Sequence, residues 1–311
     1  DGYKLLVTVD CGTMAHDVLA AAKDRGQEVI VADHHQTGGG LPDCYALINP
    51  RRADDESGLG HLAAVGVTFM LLVGLNRTLR QKGFFEGRDE PDLTHFLDLV
   101  ALGTVCDVVP LEGINRAFVR QGLAVIRHGR NLGMQALGKV VRAEGIWGTY
   151  QLGFQLGPRV NAGGRVGQSE IGTRLLTTDN PDEAAGYAAR LDDFNSQRRL
   201  IESEVQEAAT RNVEAMLAQG NALPPYILQV GDGWHAGVIG IVAGRLKDKY
   251  HRPTFVITFD EDGLGKGSAR SISSVDIGRL VAGALDEMLI EAGGGHAMAA
   301  GVTLRREQLP A

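Results

Sequence analysis

The chain has 311 residues, with 31 basic against 38 acidic side chains, a formal charge of −7, 44 % hydrophobic residues and 42 glycines. That is enough chain for two domains with buried cores, and its net charge argues against binding nucleic acid by bulk electrostatics, though not against a local basic groove or a carboxylate-rich metal site. The longest nearly apolar run, 62–75, is 14 residues, short of the ~20 that a membrane-spanning helix needs; Cys11, Cys44 and Cys106 lack any CxxC spacing, which excludes a disulfide framework and a structural zinc site and fits a reducing cytosol.

The first elements read strand, turn, helix, strand. Leu5–Val9 is an apolar run, 15–25 is Ala-rich and stopped by Gly26, and 29–32 is apolar again. This order predicts a βαβ unit with parallel strands. A short strand is predicted at 46–48, and helices near 62–80, 93–102, 115–128 and 169–176. Asn180-Pro181-Asp182-Glu183 is a helix start, with Asn180 as N-cap, proline at the first helical position and Glu183 placed to close a capping box. No proline follows until Pro224, so a helix of about 39 residues, roughly 58 Å long at 1.5 Å per residue, is predicted to connect domains. Beyond it come strands at 226–230, 254–259, 265–270 and 300–304, with helices at 238–250 and 277–291. The expected fold class is α/β: a parallel-sheet domain over 1–180, a connecting helix over 181–219 and a smaller mixed α/β domain over 220–311. With Asp1 in place of methionine and an apolar run from Leu5, the chain reads as a fragment beginning mid-domain.

In open parallel sheets, ligands bind beyond the carboxyl ends of the strands. Asp10 follows the first strand directly, and Asp33-His34-His35 follows the second. Neighbouring strands lie about 4.8 Å apart, so Asp10 and His34 can share one cation. Asp107 ends an apolar run from Ala101, and a buried carboxylate needs a cation or metal as partner. Taken singly, the acids could be helix caps and the histidines ordinary core or surface groups. Together they suit Mn²⁺ and, less selectively, Mg²⁺, Fe²⁺ or Zn²⁺.

Three glycine-rich segments offer phosphate contacts. Asn161 and Arg165 flank glycines that let backbone approach an anion. Ser268 and Arg270 alternate on a predicted strand and so share a face. His296 follows Gly293-Gly294-Gly295. Each also has a plain reading, as a surface turn or a helix-stop loop. Trp234 reads as a core-packing residue ahead of an apolar helix, with DNA stacking as its alternative. A dinucleotide-binding dehydrogenase is disfavoured, because no GxGxxG opens the first helix.

The ordered blocks LLVTVDCGT, VADHHQTG, ALGTVCDVVPL, PRVNAGGRVG, WHAGVIGIVAGRL, GSARS and GGGHAMAAG resemble the DHH phosphoesterase superfamily, and the last five resemble its RecJ branch of single-strand-specific exonucleases. The resemblance implies two divalent ions, Mn²⁺ or Mg²⁺. Asp10 matches the bridging ligand, His34 and Asp107 ligands of one ion, His35 an outer or substrate-facing group, and Asp33 a group that orients the histidines. It further implies two-metal hydrolysis of single-stranded DNA from the 5′ end, in DNA repair and recombination. Asn161, Arg165, Ser268, Arg270 and His296 would then bind substrate. The implied protein is monomeric, cytoplasmic and free of membrane, with a single-strand-binding protein and a helicase as partners. The superfamily's first acid-x-acid cluster is absent from this sequence, so slow or no hydrolysis is expected of this polypeptide alone. The alternatives are a superfamily phosphodiesterase acting on oligoribonucleotides or cyclic dinucleotides, and a non-catalytic DNA-binding scaffold.

Overall fold

The computed structural model describes residues 2–38, 40–143, 145 and 147–309. The chain divides into two compact units, Asp1–Val160 with Gly172–Ala189, and Asn161–Ile171 with Arg190–Ala311. This differs from boundaries at 180 and 219: the long helix is shared, and the segment Asn161–Ile171 joins the second unit. The outer limits of the expected domains, Asp1 and Ala311, lie outside the described residues.

The first unit opens with β1 (Leu5–Val9), α1 (His16–Asp24), β2 (Glu28–Ala32) and β3 (Ala46–Ile48). The strands form a parallel sheet in the order β1-β2-β3, with Val9, Ala32 and Ile48 level at its carboxyl edge. Helix α1 buries Leu19 against Val29, Val31 and Leu47, and the chain leaves it through Gly26 at φ 73°, a left-handed position that a Cβ would penalise. Next come α2 (Ala64–Gln81), α3 (Leu97–Cys106) and α4 (Gly113–Arg127). Leu62, Val67, Phe69, Val100 and Phe118 pack as their common core, each such side chain contributing about 1.5–3 kcal/mol on burial.

Sequence reading missed two features that follow. Helix α5 (Leu132–Val140) is capped by Asn131, whose side chain accepts from the Met134 amide at 2.9 Å. A widened π-helical turn, Gln151–Leu156, then runs into α6 (Gly157–Val166). Proline lacks an amide and clashes with the carbonyl four residues back, so a wider turn before Pro158 keeps the segment helical. Asn161 and Arg165 therefore stand on a helix, not in a glycine loop. Helix α7 (Glu170–Thr177) precedes α8 (Pro181–Ala218). Asn180 Oδ1 accepts from the Asp182 and Glu183 amides. The expected capping box stays open, because Glu183 takes the Thr178 hydroxyl instead.

The second unit continues from α8 into β4 (Ile227–Asp232), α9 (Ala236–Tyr250), β5 (Thr254–Phe259), β6 (Leu264–Arg270), α10 (Ile277–Asp286), β7 (Ala292–His296) and β8 (Ala299–Arg305). The sheet order is β4-β5-β6-β8-β7, parallel between β4 and β5 and antiparallel elsewhere. Val238, Val242 and Leu246 of α9 pack with Val205 and Ala209 of α8. Ile277 and Val281 of α10 pack with Phe259, Ala269 and Leu304. Helix α10 stops five residues short of the expected 291, and the GGGH run is itself strand β7 rather than a loop.

Candidate metal centre and anion cradle

The carboxyl edge of the first sheet is built by register. The Asp10 amide donates to the Ala32 carbonyl and the Asp33 amide to the Ile48 carbonyl, each at 3.0 Å. Asp10, Asp33 and Asn49 thus begin three loops side by side. Asp33 is buried, and its oxygens accept from the Thr13 amide at 3.0 Å, the His34 amide at 2.8 Å and His35 Nδ1 at 2.7 Å. Burial alone would push the Asp33 carboxyl up. The bonds from Thr13 and His35 outweigh it and hold the group well below the usual carboxylate range. An ionised Asp33 fixes the proton of His35 on Nδ1 and leaves Nε2 as a lone pair.

His34 is oriented from the other side. Its Nδ1 donates to the Leu62 carbonyl at 3.0 Å, which places the lone pair on Nε2, 3.4 Å from Asp10 Oδ1. Asp107 Oδ2 lies 3.6 Å from His34 Nδ1. The Asp10 bond raises the His34 imidazole above its ordinary value, burial opposes that, and Asp107 adds to the rise. The Asp107 carboxyl is itself raised, chiefly by burial, with His34 pulling it down and Asp10 pushing it up. Two acids and an imidazole therefore share too little positive charge.

One ligand atom each from Asp10, His34 and His35 lie within 4.8 Å of one another. Donors around a cation at about 2.1 Å sit roughly 3.0–3.4 Å apart at octahedral to tetrahedral angles; His34 Nε2 and Asp10 Oδ1, 3.4 Å apart, match that spacing, and the donor types suit a divalent ion. The structure groups His35 with Asp10 and His34, while Asp107 stands against the opposite nitrogen of His34. Backbone strain marks the same place. Asp10 and Val108 both adopt φ 60°, and for a β-branched residue such as Val108 this is an outlier that surrounding structure must hold. A cavity of about 270 Å³ between Val9, Asp10, Ala63, Thr68, Gly103 and Asp107 adjoins these carboxylates.

The second unit brings two guanidinium groups, of Arg165 and Arg270, close together. Arg270 donates to Ser268 Oγ at 3.0 Å and to the Ala269 carbonyl at 2.8 Å. Burial, and then the nearby Arg165 guanidinium, lowers its pKa. Among the described residues neither arginine is ion-paired, although Arg165 donates to the Gly237 carbonyl at 3.1 Å. Glycine makes the room: a Cβ on Gly240 would lie 2.8 Å from Ser268 Oγ and 3.0 Å from an Arg270 nitrogen. Arg270 and His296 both pair with Ala299, and Ser268 with Gly301 opposite Gly294. Ser268, Arg270 and His296 thus share one sheet face across a floor of glycine and alanine. Asn161 stands one turn before Arg165 on α6. Trp234 packs partly buried beside Val205 and Val238, over Gly231, as a core residue.

Sequence reading missed Thr13, Asn49 and the Leu62 carbonyl. Asn49 Nδ2 donates to Thr13 Oγ1 at 3.0 Å and to the His35 carbonyl at 2.9 Å. The signal for it was present, since Asn49 follows β3 as Asp10 follows β1.

Family models match at residues 3–104, the DHH family N-terminal domain, and 223–311, the DHHA1 domain. The single-stranded-DNA-specific exonuclease RecJ of Salmonella typhimurium is 42 % identical over 99 % of this chain and 54 % of its own length. A crystal structure of RecJ from Thermus thermophilus in complex with Mn²⁺ superposes with a TM-score of 0.81 at 32 % identity, over 99 % of this chain and 43 % of that one. Another, of exonuclease RecJ bound to manganese, gives 0.76 at 32 % identity, over 99 % of this chain and 72 % of that one. The chain spans about half the length of the curated relatives it matches.

Proposed function

This chain belongs to the RecJ family of DHH proteins, and from that premise we propose that it is the part of a metal-dependent exonuclease that holds the cation and grips single-stranded DNA. The observation that carries the reading is the meeting of Asp10, His34 and Asp107, distant in sequence, around one imidazole. A divalent ion bound there, Mn²⁺ or Mg²⁺, supplies charge against a phosphodiester and acidifies a water. Asp10, His34 and His35 offer it oxygen and nitrogen donors, Asp107 adds a further carboxylate, and Asp33 keeps His35 in the ligating tautomer.

Arg270, Arg165 and Ser268 bind the phosphate of the strand. A half-buried guanidinium beside a second one and without a carboxylate is short of negative charge, and a phosphate supplies it in bidentate form. Asn161 and His296 add polar contacts at the margins of that cradle. Among the described residues a second ion would have little beyond a shared Asp10, so hydrolysis by this chain alone is slow on this reading. The reading also carries 5′-to-3′ polarity, a role in DNA repair and recombination, and a monomeric cytoplasmic enzyme with a single-strand-binding protein and a helicase as partners. The free thiols of Cys11, Cys44 and Cys106 fit a reducing compartment, and among the described residues no helix is long and apolar enough to cross a membrane.

The test is binding anisotropy with a 5′-phosphorylated single strand, a 5′-hydroxyl strand, duplex DNA, an oligoribonucleotide and a cyclic dinucleotide. The phosphorylated single strand binds tightest, and Arg270→Ala weakens it about tenfold or more while leaving Mn²⁺ affinity within about twofold. Equal affinity of wild type and Arg270→Ala, or a preference for the cyclic dinucleotide, would overturn the reading.

A further inference from the structure

We propose that Asn115 is a positioning residue for the metal centre, one buried amide that fixes both loops on which its ligands depend. The inference rests on the metal-centre reading above. Asn115 lies in the first turn of α4 and is fully buried. Its Nδ2 donates to the His61 carbonyl at 2.8 Å and to the Pro110 carbonyl at 3.0 Å.

Each acceptor leads to a ligand. Pro110 lies three residues beyond Asp107, and the backbone between them includes Val108 at φ 60°. His61 adjoins Leu62, whose carbonyl receives the Nδ1 proton of His34 and so leaves Nε2 for the cation. Both donor hydrogens of one side chain are used, on two loops from separate parts of the sequence.

Energetics favour a functional reason for the amide. Asparagine is a poor helix former, and Oδ1 of Asn115 is buried with no hydrogen-bond partner, which costs about 1–3 kcal/mol. A leucine would avoid that cost but would leave the His61 and Pro110 carbonyls without this donor. What asparagine provides is the double grip. Val108 keeps its left-handed backbone only while its surroundings hold it, and the bond to Pro110 does so. Without Asn115, the 107–110 backbone relaxes and carries Asp107 away from His34, and the Leu62 carbonyl no longer sets the His34 tautomer.

Two variants test this. Asn115→Asp keeps the shape but replaces donors with acceptors aimed at two carbonyls; Asn115→Ser keeps one donor and serves if the first does not fold. Calorimetric Mn²⁺ titration and ¹⁵N NMR of the His34 ring are read on the wild-type chain and on each folded variant. The proposal expects Mn²⁺ affinity to fall about 10–100-fold, the range for loss of a group that orients a ligand, and the His34 Nδ1 proton signal to shift or vanish. Affinity within about twofold of wild type with unchanged His34 signals, and only a lower melting temperature, would make Asn115 a plain packing residue and overturn the inference while the metal centre stands. Absence of Mn²⁺ binding by the wild-type chain would overturn both.

Discussion

His34 is where proton and cation compete. Its imidazole titrates above the ordinary histidine value because Asp10 bonds to it, against the effect of burial and with help from Asp107. A raised folded-state pKa stabilises the metal-free fold below the unfolded value of about 6.5 and is lost as pH climbs through the folded value. Thermal melts in chelator therefore fall from pH 6 to pH 8, and Asp10→Asn flattens that slope. Mn²⁺ affinity runs the other way, rising with pH by up to about tenfold per unit while His34 is still protonated. A pH-independent Mn²⁺ affinity over that span would remove His34 from the ligand set. At this scale Asp10 and Asp107 were legible because each ends an apolar run, and His34 because its Asp-His-His triplet stands at a strand end. The partners that aim them were not. Leu62 acts through a carbonyl that any residue possesses, so it leaves no trace in residue identity.

Among the elements, α3 delivers Asp107 and is held by close backbone approach. A Cβ at Gly122 of α4 would overlap the Leu97 carbonyl and Ala101, and backbone cannot step aside as a side chain can. Gly122→Ala is expected to cost about 1–3 kcal/mol by overpacking and to lower Mn²⁺ affinity by shifting α3. Gly186 of α8 has open space around it, so Gly186→Ala should instead stabilise by about 0.5–1 kcal/mol. Denaturant melts of both variants check the opposed signs; a Gly122→Ala midpoint at or above wild type would contradict the packing described. Strands at Leu5–Val9, Ala46–Ile48 and Thr254–Phe259 matched their apolar runs, and the Asn180-Pro181 start gave α8. The π turn and α6 were hidden because Gly157, Pro158, Gly163 and Gly164 carry loop propensity that tertiary packing overrides. Gly157 is there for fit, since a Cβ would overlap Cys106 Sγ.

Over the whole molecule, a net charge of −7 conceals two opposite local fields. Carboxylates gather at the sheet edge of the first unit, and in the second Arg165 and Arg270 come together with no ion pair among the described residues. Composition could exclude a strongly basic DNA-binding domain but could not locate either field, because a sum over residues carries no positions. Placement came from topology: parallel strands put Asp10 and Asp33 at one edge, and antiparallel pairing put Ser268, Arg270 and His296 on one face. The proposed chemistry depends most on the first of these being a cation site. Asparagine tolerates the left-handed backbone of Asp10, so Asp10→Asn removes charge while keeping the fold. Calorimetric titration of Mn²⁺ into the wild-type chain and this variant is the direct measurement: saturable binding in wild type, weakened in Asp10→Asn by at least the roughly 10–100-fold that loss of an outer partner costs, is the predicted result. Equal binding by the two, or none by wild type, would contradict it.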